Sequence, residues 1–129
     1  MADAKSKILI VEDDLDVAEM LNAYFRVQGY DVFTVNWGED GVRAAQTVLP
    51  DLMILDIRLP DIDGYEIARR LRKSPKEKLA NIPIIAVTAN AMKGDAQKAY
   101  DAGCTLYMTK PINIMDLMEK VKNLANKES

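Results

Sequence analysis

The chain has 129 residues, of which 49% are hydrophobic and 29% are charged, and this size and composition are typical of one soluble globular domain. The net charge is −3 and no long basic segment is present, so nucleic acid and anionic membranes are not favoured as partners. The absence of histidine and the single cysteine exclude Ser/His and Cys/His catalysis and an internal disulfide. No apolar segment reaches membrane-spanning length. We therefore expect a cytoplasmic protein that forms one domain over residues 1–129, with a core at about 6–126.

Strand patterns and helix patterns alternate along the chain with few residues between them. Short apolar or β-branched runs predict strands, and segments with apolar residues at helical spacing predict helices. In chain order the predicted elements are a strand at 7–11, a helix at 15–28, a strand at 30–35, a helix at 38–48, a strand at 52–55, a helix at 65–73, a strand at 82–87, a helix at 92–102, a strand at 105–108 and a last helix after Pro111. Five strands that alternate with five helices indicate a doubly wound α/β domain with a parallel sheet.

Some residues predict the faces and ends of these elements. The residues at helical spacing in the first helix are Val17, Leu21 and Tyr24. Residues 74–81 are predicted to be a polar connection without a helix. Asn113 is a candidate N-cap of the last helix, and Met115 falls outside its apolar stripe and is expected to be exposed. Cys104 lies in an apolar context, which favours a packed thiol over a reactive one.

Polar side chains follow the carboxyl ends of four predicted strands, and in a parallel sheet these ends meet at the edge where ligands bind. They are Glu12 and Asp13 after the first strand, Asp56 after the third, Thr88 after the fourth and Lys110 after the fifth. Two like charges about 4 Å apart repel by roughly 4 kcal/mol at an effective dielectric of 20, and a site that tolerates this cost normally binds a cation. Oxygen ligands without histidine or thiolate indicate a hard ion, Mg²⁺ before Ca²⁺, with Mn²⁺ as an alternative.

An aspartate beside such an ion can attack phosphorus and form an acyl phosphate. Lys110 would supply a second positive charge, and Thr88 would supply a hydroxyl donor to the phosphoryl oxygens. The residues therefore predict a site that holds a phosphoryl group on Asp56.

Five motifs together resemble the receiver domain of two-component response regulators, in the order and spacing of that family and over nearly the whole chain. They are residues 8–14 (ILIVEDD), 51–56 (DLMILD), 59–64 (LPDIDG), 87–89 (VTA) and 110–111 (KP). The resemblance implies a flavodoxin-like, five-stranded parallel sheet of order 2-1-3-4-5 with helices on both faces. It also implies that Asp56 accepts a phosphoryl group from a histidine of a sensor histidine kinase or phosphotransfer protein, in a Mg²⁺-dependent reaction.

The resemblance gives a role to each further residue of the site. Asp13 and Asp56 would bind Mg²⁺ through their side chains, Glu12 through water and Arg58 through its backbone carbonyl. Glu12 departs from the commoner aspartate of the family, and its extra methylene could lengthen the metal contact or add a water. Lys110 would pair with the phosphoryl group, and its bond to the following proline would be cis.

Two residues would act as the switch. Thr88 would move to bond a phosphoryl oxygen, and Tyr107 would swing inward into the space that opens. The implied output surface is the fourth helix, fifth strand and fifth helix, which would bind a downstream protein only in one phosphorylation state. Such a receiver is not a turnover enzyme, although it catalyses its own aspartyl phosphorylation and dephosphorylation.

The same residues are compatible with more than one kind of protein. Residues 86–95 and 102–104 resemble both stand-alone cell-cycle regulators and the receivers of hybrid histidine kinases, so the chain is expected to be a stand-alone receiver or a receiver excised from a larger kinase or multidomain regulator. A flavodoxin is disfavoured because the acidic residues 12–14 would repel its phosphate. A Mg²⁺-dependent aspartyl-phosphate hydrolase of the haloacid dehalogenase type is a weaker alternative, since its second acid, two residues after the nucleophile, is here Arg58.

Overall fold

The computed structural model describes residues 5–89 and 94–125. Within them lie five strands: β1 (Lys7–Val11), β2 (Asp31–Val35), β3 (Leu52–Asp56), β4 (Ile84–Thr88) and β5 (Leu106–Thr109). The same part of the chain forms six helices: α1 (Leu15–Val27), α2 (Gly38–Val48), α3 (Gly64–Arg72), α4 (Glu77–Ala80), α5 (Asp95–Ala102) and α6 (Ile114–Ala125). None of the helices in these residues has both the length and the apolar character needed to span a membrane.

All five strands pair in parallel, in the order β2-β1-β3-β4-β5. This arrangement confirms the predicted doubly wound fold and its strand order. Every residue of β3 and of β4 is buried, because helices cover both faces of a parallel sheet and leave its central strands no contact with water. The register pairs Asp56 with Val87, so the end of β3 lies directly beside the end of β4.

The core has one layer on each face of the sheet. Side chains alternate along a strand, so neighbouring residues of β1 belong to different layers. Leu9 packs with buried residues of α2, α3 and α5, whereas Ile10 packs with buried residues of α1 and α6. The two layers fix the sheet between the helices and leave its carboxyl edge to the loops.

Helix α1 differs from the prediction in which aromatic residue it buries. Tyr24 is 42% exposed, whereas Phe25 is 0% exposed and completes a buried stripe with Ala18 and Leu21. Residues 17, 21 and 24 and residues 18, 21 and 25 have equally good helical spacing, so periodicity could not separate them. Phe25 takes the inward position because its ring carries no polar group, while the Tyr24 hydroxyl can stay in water.

The polar connection predicted at residues 74–81 contains a further helix, α4, so the prediction of no helix there was wrong. A single turn is too short for an apolar period to show in the sequence, and it forms because Leu79 is fully buried in the core. The predicted fourth and fifth helices are therefore α5 and α6. The start expected for the fourth helix, at residue 92, lies outside the described residues.

Three smaller predictions are met by the structure. The Asn113 side chain accepts a hydrogen bond from the Asp116 amide at 3.0 Å and so caps α6. Met115 is exposed. Cys104 is buried, and burial raises the pKa of its thiol to about 11 despite the nearby Arg72 guanidinium. The cysteine is thus a packed core residue and is protonated at neutral pH.

Gly64, the first residue of α3, packs against the backbone behind the central aspartate. Its amide donates to the Ile57 carbonyl at 2.8 Å, and a Cβ there would lie 2.8 Å from the Asp56 carbonyl oxygen. Helix propensity alone favours alanine over glycine by about 1 kcal/mol. Because the opposing backbone atoms cannot move aside, we expect Gly64→Ala instead to lower the free energy of unfolding by roughly 1–3 kcal/mol. Urea unfolding measures this difference, and a variant as stable as the wild type would contradict the packing.

Candidate functional site

Three carboxylates meet at the carboxyl edge of the sheet. Glu12 follows β1, Asp13 comes next in the chain, and Asp56 is the last residue of β3. One carboxylate oxygen from each of the three lies within 4.8 Å of the others. Glu12 and Asp56 are buried, with Asp56 only 4% exposed, whereas Asp13 faces solvent. The doubly wound topology is what gathers them, since parallel strands all deliver their last residues to this edge.

Lys110 faces these acids from the end of β5. Its Nζ lies 3.0 Å from Glu12 Oε1 and 3.3 Å from Asp56 Oδ2, and its side chain is only 21% exposed. The Lys110 amide donates to the Thr88 carbonyl at 2.8 Å, which fixes the main chain of the lysine to the end of β4. The bond between Lys110 and Pro111 is cis, as the family resemblance implies.

The charged side chains of the site shift each other's pKa values. Burial raises the pKa of Asp56, and the hydrogen bond and negative charge of Glu12 raise it further, against the opposing effects of the Arg58 amide and Lys110. Burial alone would lower the pKa of Lys110, but its contacts with Glu12 and Asp56 outweigh burial and raise it. The lysine is therefore cationic at neutral pH. One ammonium facing three carboxylates leaves an excess of negative charge.

Backbone amides orient the two buried carboxylates. The Arg58 amide donates to Asp56 Oδ1 at 3.0 Å, and the Asp14 amide donates to Glu12 Oε2 at 3.0 Å. Asp14 in turn caps α1 by accepting from the Asp16 amide at 3.0 Å. These hydrogen bonds hold the acidic oxygens toward Lys110 and toward each other.

The donor set fits a magnesium ion. Asp13 makes no hydrogen bond or ion pair with any residue in the described segments, so its carboxylate is available as a ligand. The three candidate side chains offer oxygen atoms, which Mg²⁺ prefers, and an incomplete protein shell leaves room for the waters that this ion usually keeps. Asp13 also lines a surface cavity with Leu15, Asn36, Trp37 and Pro60. The site is thus open to solvent on the side of Asp13.

The two predicted switch residues lie on neighbouring strands. Thr88 ends β4 and is 2% exposed. Tyr107 lies on β5, packs against the layer that contains α3 and α5, and has a buried hydroxyl without a hydrogen-bond partner among the described residues. Burial raises the pKa of Tyr107, and the Asp95 carboxylate adds to this effect. An inward-facing tyrosine ring is therefore present beside the site, while the switching role stays a prediction.

Two residues near the site were not singled out by the sequence. Asn36 donates from Nδ2 to the Glu12 carbonyl at 2.9 Å, and the Asp61 carboxylate accepts from two backbone amides at the start of α2. Asp61 looked only like part of a Pro/Asp/Gly turn. Its partners lie more than twenty positions away in the chain, a separation at which no local spacing pattern reveals a contact.

The sequence model of the response regulator receiver domain matches residues 8–122. The chain belongs to this family. Among related proteins, this receiver domain is 34% identical over 116 residues to the polar-differentiation response regulator DivK of Brucella ovis, an alignment that covers 90% of this chain and 93% of DivK. Receiver domains accept phosphoryl groups in two-component signalling and interact with histidine kinases or phosphotransfer proteins and with downstream targets.

Solved structures agree with this assignment. A putative response regulator from Chloroflexus aurantiacus superposes on the receiver domain with a TM-score of 0.88 at 35% identity, covering 96% of this chain and 100% of that one. The receiver domain of a sensor histidine kinase from Pseudomonas aeruginosa gives a TM-score of 0.85 at 35% identity, with the same coverage. That crystal structure has a magnesium ion coordinated in its active-site cleft. Receiver domains bind Mg²⁺ at an acidic pocket, which here corresponds to the cluster of Glu12, Asp13 and Asp56.

Proposed function

We propose that the protein is a phosphorelay switch in which Asp56 accepts a phosphoryl group from a phosphorylated histidine of a sensor kinase or phosphotransfer protein. The observation that carries this proposal is the placement of Asp56, a buried carboxylate at a strand end, between two further carboxylates and the Lys110 ammonium. These 129 residues contain no histidine, so the donor histidine lies outside them. The location of the protein would be the cytoplasm.

The transfer is a nucleophilic displacement at phosphorus. An Asp56 carboxylate oxygen attacks the phosphorus atom, the new P–O bond forms, and the P–N bond to the donor imidazole breaks. The bonding electrons return to the imidazole nitrogen, which then takes up a proton. The product is an acyl phosphate on Asp56, and its later hydrolysis by water restores the carboxylate.

The residues around Asp56 would stabilise the negative charge of the transferring phosphoryl group, each in a different way. Asp13 and Asp56 would hold Mg²⁺ through their side chains, Glu12 through water and Arg58 through its backbone carbonyl, with Mn²⁺ as an alternative ion. When bound, the ion would neutralise negative charge on the transferring group. Lys110 already pairs with Glu12 and Asp56 and is positioned to contact phosphoryl oxygens once Asp56 is phosphorylated.

Phosphorylation would be read out by a change of surface. We expect Thr88 to bond a phosphoryl oxygen and Tyr107 to occupy the space that this movement opens. The face formed by α5, β5 and α6 would then bind a downstream protein. The chain would catalyse only its own phosphorylation and dephosphorylation and would not turn over a separate substrate.

Two alternatives differ in how well they fit. Because a kinase receiver and a response regulator are about equally similar to this chain, a receiver that belongs to a larger kinase is a second candidate context. A Mg²⁺-dependent aspartyl-phosphate hydrolase is not favoured. Its general acid would stand at position 58, where this chain has an exposed arginine.

Beryllofluoride, which mimics a phosphoryl group on a carboxylate, tests the switch. With Mg²⁺ present, its addition should shift the backbone NMR resonances of Asp56, Thr88 and Tyr107, because Thr88 would bond to a fluorine that replaces a phosphoryl oxygen and Tyr107 would occupy the space that this movement opens. The same addition to Asp56→Asn should leave these resonances in place. Shifts confined to Asp56 in the wild type would show that Thr88 and Tyr107 are not the switch.

A further inference from the structure

Residues 36–39, which comprise the connection from β2 to α2 and the first two residues of α2, contact both loops that carry the proposed metal ligands. On one side, the Asn36 side chain donates to the Glu12 carbonyl at 2.9 Å. The Glu12 amide donates to the Val35 carbonyl at 3.0 Å. The main chain immediately before Asp13 is therefore held by the end of β2 through two hydrogen bonds.

On its other side the same segment is held by the loop after the central strand. Asp61 Oδ1 accepts from the Gly38 amide and Oδ2 accepts from the Glu39 amide, each at 2.8 Å. Trp37, at the N-cap position of α2, makes no capping hydrogen bond with its own side chain. Asp61 therefore caps α2 from a different loop. Burial is the largest single effect on the pKa of its carboxyl and would raise it, but the hydrogen bonds from the Glu39 and Gly38 amides and from neighbouring amides together outweigh burial and lower this pKa.

Close packing and a charge pair add to this connection. A Cβ on Gly38 would lie 2.6 Å from Ile62 Cγ1, so the start of α2 and the loop after β3 approach as closely as a glycine allows. The Glu39 carboxylate pairs with Arg70 of α3 at 3.2 Å, although this exposed pair contributes little by itself. The segment is thus in contact with the first loop through Asn36 and with the second through Asp61.

We propose that residues 36–39 form a brace that sets the distance between the two ligand-bearing loops, and that Asn36 and Asp61 are positioning residues for the magnesium site. The first loop supplies Asp13 and the second supplies the Arg58 carbonyl. Because Mg²⁺ requires near-ideal octahedral geometry, a relative displacement of these loops weakens its binding. This inference rests on the proposed magnesium binding of the protein, to which it adds two residues that are not themselves ligands.

Isothermal titration with MgCl₂ of the full chain tests the brace. We expect Asn36→Ala and Asp61→Ala each to weaken Mg²⁺ binding by about tenfold or more, the usual effect of removing a group that orients a ligand. Asp61→Asn should bind Mg²⁺ more weakly than the wild type but more tightly than Asp61→Ala, because its side-chain amide keeps one of the two oxygens that accept from the Gly38 and Glu39 amides. Trp37 is the only tryptophan and lines the same cavity as Asp13, so its fluorescence gives an independent binding signal.

Two matched controls separate positioning from general destabilisation. Asn81 makes the same kind of bond as Asn36, from Nδ2 to the Glu77 carbonyl at 3.0 Å, but before β4 at the opposite edge of the sheet. Asp63 lies in the same loop as Asp61 and accepts from the Glu66 amide at 2.9 Å, which caps α3 and not α2. Asn81→Ala and Asp63→Ala should therefore bind Mg²⁺ with nearly wild-type affinity.

The possible outcomes distinguish the brace from the site itself. If the wild type binds no Mg²⁺, the proposed metal site fails and the brace fails with it. If the wild type binds Mg²⁺ and both Asn36→Ala and Asp61→Ala bind it as tightly as the controls, the site stands and the brace is overturned. If Asp61→Asn binds Mg²⁺ no more tightly than Asp61→Ala, the capping oxygen that asparagine keeps contributes nothing to the site, which also overturns the positioning role.

Discussion

Adding Mg²⁺ to the metal-free protein is expected to raise its melting temperature by roughly 10 °C at a hundredfold excess over the dissociation constant. An ion that binds only the folded state stabilises it by mass action, which at this excess amounts to about 2.7 kcal/mol. The folded state is expected to bind the ion because it gathers Glu12, Asp13 and Asp56, whereas the unfolded chain separates them. Differential scanning calorimetry with and without Mg²⁺ measures the increment.

Asp13→Asn should remove this increment and at the same time stabilise the metal-free protein. Asp13 has no ion pair within the described residues, whereas Glu12 and Asp56 both pair with Lys110. The electrostatic repulsion of Asp13 by the other two carboxylates is therefore not compensated by a cation. Since Asp13 is exposed and screened by solvent, the gain without metal should be about 1 kcal/mol and not the several kcal/mol of a buried pair.

A control variant separates this effect from a change in net charge. Asp101→Asn removes one exposed negative charge from the end of α5, near the amino edge of the sheet, and should keep the full Mg²⁺ increment. If Mg²⁺ does not change the melting temperature of the wild type, the proposed ligand set is contradicted. The same holds if Mg²⁺ raises the melting temperature of Asp13→Asn as much as that of the wild type.

Asp56→Asn is expected to reduce phosphoryl labelling by acetyl phosphate, or by a phosphorylated phosphotransfer protein, to the background level. An amide is not a nucleophile toward phosphorus, and the substitution leaves the size of the buried side chain almost unchanged. Intact-protein mass spectrometry after brief incubation with the donor measures the labelled fraction. Asp63→Asn, which alters an exposed aspartate in the loop after β3, should be labelled as the wild type is.

Persistent labelling of Asp56→Asn would show that another carboxylate accepts the phosphoryl group. Glu12 and Asp13 lie closest, and peptide mapping of the labelled protein would show which of them is modified. Loss of labelling in Asp63→Asn as well would indicate that the loop as a whole had been disturbed, so that the result for Asp56 could not be assigned to its nucleophilicity.

The sequence was sufficient to predict that these residues meet at one edge of the sheet, because the fold follows from a strong periodic pattern. Once strands and helices alternate, right-handed crossovers make the sheet parallel, and every strand must end at the same edge. Asp56 and Thr88 are the last residues of their strands, and Glu12 and Lys110 come directly after theirs. An error of one or two residues in a boundary therefore did not change their placement. The strand order itself came from the family resemblance and not from periodicity.

Features that depend on long-range contacts were not predictable in the same way. Helix α4 consists of one turn and forms because Leu79 finds a place in the core, and the choice between Tyr24 and Phe25 in α1 depends on which ring the sheet covers. Asn36 and Asp61 bond to backbone groups that are distant in the chain. Such contacts exist only once the strands have assembled, and the local pattern around either residue shows nothing more than a loop.

The central claim is that the crowded carboxylates and Lys110 hold a phosphoryl group on Asp56 with the help of a divalent ion. The most direct test is to incubate the protein with acetyl phosphate, once with Mg²⁺ and once with a chelator, and to map the labelled peptide in each case. The account predicts a hydroxylamine-sensitive phosphoryl group on the peptide that contains Asp56, formed with Mg²⁺ and nearly absent with the chelator. Equal labelling in both conditions, or a label on a different peptide, would contradict it.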